Sequence, residues 1–132
     1  MKKLIVLVGV LSTIMFIFLY SQNHKRIILP NINPNRIVFF VQQGCSHCHQ
    51  ALAFVNDTLK PNYPNLAIDI IDITDNHKNL AKLKAVAKQY HIPPSKLGTP
   101  VILYNGKMTM GWSSKHGKSL MAMIRKKTAG NN

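Results

Sequence analysis

Between residues 36 and 127 the apolar positions change period several times, and each change marks an element. Arg36-Ile-Val-Phe-Phe-Val41 is a continuous β-branched and aromatic run without polar alternation, the pattern of a central strand buried on both faces. After the turn residues Gln42-Gln43-Gly44, Ala51, Leu52, Phe54, Val55 and Leu59 fall at helical spacing, which predicts a helix from Cys45 to just before Pro61. Leu66 to Ile73 predicts a second, Ile-rich strand. Thr74 or Asp75 is then a natural N-cap for a helix running to about His91. Leu80, Leu83, Ala87 and Tyr90 form its apolar side, and Lys78, Lys82, Lys84 and Lys88 lie along the same segment as an ordinary solvated face. Beyond Pro93-Pro94 and Gly98-Thr99-Pro100, Val101 to Tyr104 and Lys107 to Trp112 read as two strands. The Asn105-Gly106 pair between them is a strong hairpin signal. A last helix starts near Ser113 or Ser114 and carries Leu120, Met121, Met123 and Ile124 before Gly130. The order β-α-β-α-β-β-α predicts an α/β fold around a mixed sheet.

The amino end has a different pattern. Leu4 to Tyr20 is an uncharged run dominated by Leu, Ile, Val, Phe and Met, preceded by Lys2 and Lys3. At 1.5 Å per residue such a helix is about 26 Å long, the short end of a membrane span. The basic end stays cytoplasmic, so everything after Tyr20 is expected on the extracytoplasmic, periplasmic side of the inner membrane. No Ala-x-Ala-like cleavage site follows and no cysteine offers a lipid anchor, which favours a retained transmembrane anchor over a signal peptide cleaved to secrete the chain. Residues 21–35, with Pro30, Pro34 and four Asn, read as a tether. The expected organisation is therefore segment 1–20, tether 21–35, one small domain over 36–128 and a tail over 129–132.

Charge narrows the partners. The chain carries +13 with no Glu, and fifteen basic residues against four Asp leave +11 beyond Tyr20. Such a surface attracts anionic lipid or acidic proteins. No interleaved aromatic platform or nucleic-acid motif accompanies it, so nucleic acid is not an expected partner. Asp69, Asp72 and Asp75 are spaced by three, but along a strand Asp69 and Asp72 point to opposite faces and cannot converge on a metal.

The chain's two cysteines stand in Cys45-Ser46-His47-Cys48, directly after the first strand and at the start of the first helix. A dithiol at this spacing can cycle between open and closed forms. At a helix N-terminus, unsatisfied N–H groups and the positive dipole end favour the Cys45 thiolate, the attacking species in disulfide exchange. A structural disulfide closing so short a loop would constrain the unfolded chain little. His49 makes the run Cys-x-x-Cys-His, the spacing for c-type haem attachment. Met108, Met110, Met121 and Met123 could offer an axial ligand but are more simply strand and core residues. Zinc held by Cys45, Cys48 and two of His47, His49 or His116 lacks the second closely spaced ligand pair of structural sites. In an oxidising compartment, a reactive pair points to processing of disulfides in other proteins.

From Arg36 to Lys127 the sequence resembles the thioredoxin-like superfamily. Phe39 to His49, followed by Leu97-Gly98-Thr99-Pro100-Val101, looks like the exported Dsb disulfide oxidoreductases, especially the catalytic domain of the disulfide isomerase branch. The resemblance implies Cys45 as nucleophile, Cys48 as resolving thiol, Pro100 as a cis-proline facing the pair, and Thr99 as a source of backbone hydrogen bonds to an extended substrate. It implies protein thiols and disulfides as partners, a membrane recycling partner, and no cofactor or metal. His47, between the cysteines, can favour the thiolate by hydrogen bonding or partial positive charge. Two departures matter. Phe39 stands where many thioredoxins bury an acid, so proton transfer at Cys48 must use water or another group. The tether is too short for the isomerases' dimerisation domain, which implies a tethered monomer. The remaining alternative class is a redox-inactive module that kept only the fold.

Overall fold

β1 (Ile37–Val41) is buried along all five residues because layers cover both of its faces. Successive strand side chains point to opposite sides. Ile37, Phe39 and Val41 pack in one layer with Cys48, Ala51, Val55, Leu120 and Ile124. Val38 and Phe40 pack in the other with Leu83, Val86 and Leu103. This computed structural model describes residues 12–15, 33 and 35–130. The predicted membrane segment and tether, apart from residues 12–15, 33 and 35, lie outside the described residues. Among the described residues, no helix is long and apolar enough to cross a membrane.

α1 (Ser46–Phe54) covers the first face. It continues through a π turn over Val55–Leu59 and a last α turn over Lys60–Asn62, so the helix runs past the predicted stop at Pro61. In a regular helix a proline ring collides with the carbonyl four residues back. Here the preceding turn is widened, with the Lys60 N–H reaching the Val55 carbonyl five residues back, and the ring is accommodated.

β2 (Ile68–Asp72) is shorter than predicted and lies parallel to β1 at the sheet edge. Its exposed side shows in Ile70, which is 45% exposed. Asp69 is held there by Arg36, whose Nε donates to Oδ2 at 2.7 Å while Nη2 pairs with Oδ1. The next helix, α2 (His77–Gln89), is capped by Asn76, not by Thr74 or Asp75, with Asn76 Oδ1 accepting from the Asn79 N–H at 3.0 Å. The correction has a local cause. The Thr74 N–H is bound to Asp72 Oδ1 at 2.7 Å and Asp75 sits at φ +50°, so Asn76 is the residue with extended cap geometry.

β3 (Val101–Tyr104) pairs antiparallel with β1, and β4 (Lys107–Met110) pairs antiparallel with β3, giving the order β2-β1-β3-β4. Asn105 and Gly106 both have positive φ, 49° and 72°, as a two-residue hairpin turn that matches strand twist requires. β4 stops at Met110 rather than at Trp112, because Gly111 at φ +77° turns the chain and donates its N–H to the Pro100 carbonyl at 2.8 Å. Trp112 instead enters the core with its ring 5.0 Å from that of Phe54. α3 (Ser114–Ala129) packs on the same face as α1. Gly117 permits that contact, since a β-carbon there would lie 3.2 Å from the Phe54 ring. α3 also takes the domain slightly past its expected end at 128. A four-stranded mixed sheet between α1 with α3 and α2 fits the thioredoxin-like architecture.

Candidate active site

The chain leaves β1 through Gln42 and Gln43, turns at Gly44 with φ +73°, and delivers Cys45 to the N-cap of α1. Gly44 is needed at that angle, which a β-carbon makes costly. Cys45 has extended geometry, φ −89° and ψ 105°, and its sulfur occupies the place usually taken by a capping oxygen. It accepts a hydrogen bond from the Cys48 N–H at 3.2 Å. An amide at a helix start pointed at sulfur is worth most when the sulfur is an anion.

Cys45 and Cys48 are joined as a disulfide, with Cα atoms 5.2 Å apart. Their surroundings differ. Cys45 is half-buried, whereas Cys48 is only 2% exposed and packs in the core with Phe39 and Ala51. A molecule approaching from solvent can therefore reach the Cys45 sulfur and not its partner.

The facing wall comes from the loop before β3. The Thr99–Pro100 peptide bond is cis, and the Pro100 carbonyl is fixed by the Gly111 N–H. Thr99 bridges to the disulfide from 54 residues away. Its hydroxyl donates to Cys45 Sγ at 3.5 Å, and its carbonyl oxygen lies 3.6 Å from the same sulfur. The sequence marks Thr99 for its backbone, and the hydroxyl contact is an addition that only the folded loop reveals.

The loop before Cys45 is held from β2. The Gln43 N–H donates to Thr74 Oγ1 at 2.7 Å, while Asp72 binds the Thr74 N–H. The Asp72 carboxyl is held below its usual range, first by the Thr74 hydroxyl and then by the Thr74 N–H, with burial opposing and the Gln43 side chain adding least. Sequence reasoning assigned Asp72 to a strand end. Its link to the redox loop depends on the parallel register of β1 and β2, which a single sequence does not give.

His47 is exposed on the first turn of α1, whereas the donors at the Cys45 sulfur are the Cys48 amide and the Thr99 hydroxyl. His49 is exposed as well. His116 lies at the start of α3 with Nδ1 3.1 Å from Ser113 Oγ. Among the described residues, no group of three His, Cys, Asp or Glu side chains could hold a metal ion. No buried polar or charged side chain lies in the described core, so the space beside Phe39 and Cys48 holds no substitute for a buried acid.

No protein-family model matches the chain, and no curated protein matches it. Among solved structures the chain is similar to a glutaredoxin. That protein comes from Archaeoglobus fulgidus; it is 16% identical, superposes with a TM-score of 0.49, and the match covers 67% of this chain and 88% of the glutaredoxin.

Proposed function

We propose that this protein is an extracytoplasmic thiol-disulfide oxidoreductase, held at the membrane by residues 4–20, that exchanges disulfides with protein substrates through Cys45 and Cys48. The observation that carries the reading is the asymmetry of the pair: one sulfur at the mouth of the site, capped by a helix amide and a Thr99 hydroxyl, and one buried behind it. In the oxidised protein a substrate thiolate attacks Cys45 Sγ. A substrate–Cys45 disulfide forms, the Cys45–Cys48 bond breaks, and its electron pair leaves on Cys48, which takes a proton from solvent. A second substrate thiolate then attacks the substrate sulfur of the mixed disulfide and expels Cys45 as a thiolate. The substrate departs with a disulfide and two electrons remain on the pair. Run backwards, the Cys45 thiolate opens a substrate disulfide and Cys48 releases it. A membrane redox partner that reoxidises or re-reduces the pair completes the cycle.

Reduced insulin and a cystine peptide serve as test substrates for the full chain. Cys45→Ser is expected to abolish exchange, and Cys48→Ala to accumulate mixed disulfides through Cys45 that only an external thiol resolves. Equal alkylation rates at the two thiols of the reduced protein, or faster labelling of Cys48, would overturn the assignment.

A further inference from the structure

The C-terminal turn of α2 bounds an open groove of about 700 Å³ whose far side is the segment leading to the cis-proline. Its lining is apolar at Ala87, Ile92, Pro93, Pro94 and Leu97 and basic at the exposed Lys84, Lys88 and His91. The groove exists because of how α2 ends. The His91 N–H returns to the Lys88 carbonyl at 3.1 Å and the Ile92 N–H to the Ala87 carbonyl at 2.9 Å, a reversal that places His91 at φ +56°. Glycine is the usual residue there, and a side chain is costly. This chain accepts that cost and thereby puts an imidazole in the lining.

Charge selects the occupant. From Asn76 to Asn132 the sequence holds eleven Lys and Arg and no Asp or Glu. Lys84 and Lys88, four apart on one helix, repel each other, and neither has an ion pair among the described residues. A second copy of so basic a chain would add to that repulsion. A flat lipid layer could meet the basic side chains but would not fill a groove. An extended segment carrying an apolar side chain between carboxylates satisfies both. Leu97 is two residues from Thr99, at most about 7 Å of backbone, so the groove ends close in the chain to the loop whose Thr99 touches the Cys45 sulfur.

We infer that the groove between the end of α2 and residues 92–97 is a docking site for an acidic, apolar-bearing segment of the protein substrate. The inference rests on the exchange reading above and names its substrate class. The site discriminates among substrates by charge before any sulfur reacts.

The test measures binding with a cysteine-free probe, so that it stands apart from exchange chemistry. A fluorescein-labelled peptide alternating Asp and Leu is titrated with the full chain, beside the same peptide with Asn for Asp. The Asp peptide is expected to bind about tenfold tighter at low salt, with the difference vanishing as salt screens it. Lys84→Glu/Lys88→Glu should remove the preference, and Lys84→Gln/Lys88→Gln should weaken it if the reversal unfolds the chain. Lys115→Glu/Lys118→Glu, an equal charge change on α3 across the sheet, should leave affinity within about twofold. His91→Gly should raise the thermal midpoint yet lower peptide affinity, two shifts that a merely structural role does not combine. Equal binding of the Asp and Asn peptides overturns the inference, as does an equal loss from the α3 pair. So does binding through Lys84 and Lys88 to phosphatidylglycerol vesicles but not to the Asp peptide. If Cys45→Ser leaves exchange intact, the exchange reading fails while the groove is still measured.

Discussion

At the Cys45 sulfur, two neutral donors take the place of a charged partner: a helix amide at 3.2 Å and the Thr99 hydroxyl at 3.5 Å. Hydrogen bonds to a charged group contribute about 1.5–3 kcal/mol when well formed, and one pKa unit corresponds to about 1.4 kcal/mol. The contact at 3.5 Å is long, so its effect lies at the lower end. Thr99→Val is therefore expected to raise the Cys45 thiol pKa by about one unit and to lower its alkylation rate at neutral pH, with Thr99→Ser restoring both. His47→Ala, removing an exposed ring, should move the pKa less than Thr99→Val. An alkylation profile of the reduced protein from pH 4 to 9 checks both, and a larger shift from His47→Ala would return the principal role to the histidine. The pair was legible in the sequence because its signal is local, a four-residue spacing, whereas the role of the proline entered through the resemblance. The Thr99 hydroxyl was not legible, because its partner lies 54 residues away and only the folded loop brings the two together.

Among the elements, those with a strong local signal are found where the pattern puts them. The uninterrupted apolar run became the central strand, and Asn105-Gly106 became a turn with two positive φ values. The misses are all at ends, where competing interactions decide. Pro61 failed to stop α1 because a π turn precedes it, and Asn76 caps α2 because the turn after β2 already uses Thr74. Asn76→Ala should thus cost about 1 kcal/mol in urea unfolding, whereas Asp75→Ala should not act through loss of a cap. The Asp72 clamp adds a pH dependence. Its carboxyl is held below the ordinary value of 3.8 in the folded chain, so the unfolded state binds more protons as pH falls. Its stabilising contribution is fully present above about pH 4 and is lost as pH falls through the lowered folded value. Urea midpoints between pH 3 and 6 should fall at the acid end, with Asp72→Asn less stable at pH 6 and flatter towards pH 3. Because Thr74 also holds the Gln43 N–H, the same variant should loosen the loop that presents Cys45, read as faster amide exchange at Gln43.

For the whole molecule, the sequence pattern implied a mixed sheet with layers on it but not the strand order, since the register of β1 with β2 and β3 arises from packing rather than from any local motif. That the domain works at a membrane is part of the proposal. A domain with a buried resolving thiol and a strongly basic surface can be kept at a membrane by two different forces, and they respond differently to solvent. Attraction of lysines to anionic lipid is screened, with the screening length falling to about 3 Å at 1 M salt. Burial of an uncharged run such as Leu4 to Tyr20 in hydrocarbon is not. The full chain is accordingly expected to stay with the membrane pellet through 1 M salt and alkaline carbonate, while a chain beginning at Ser21 leaves it in salt alone. A thiol-reactive probe that cannot cross the membrane should label Cys45 from the extracytoplasmic side after reduction. Release of the full chain by carbonate, with a new amino end near Ser21 or Gln22, would replace the anchor with a cleaved signal. Labelling only after the membrane is opened would place the dithiol on the cytoplasmic side, where a reducing environment would make the pair a reductant rather than a source of disulfides.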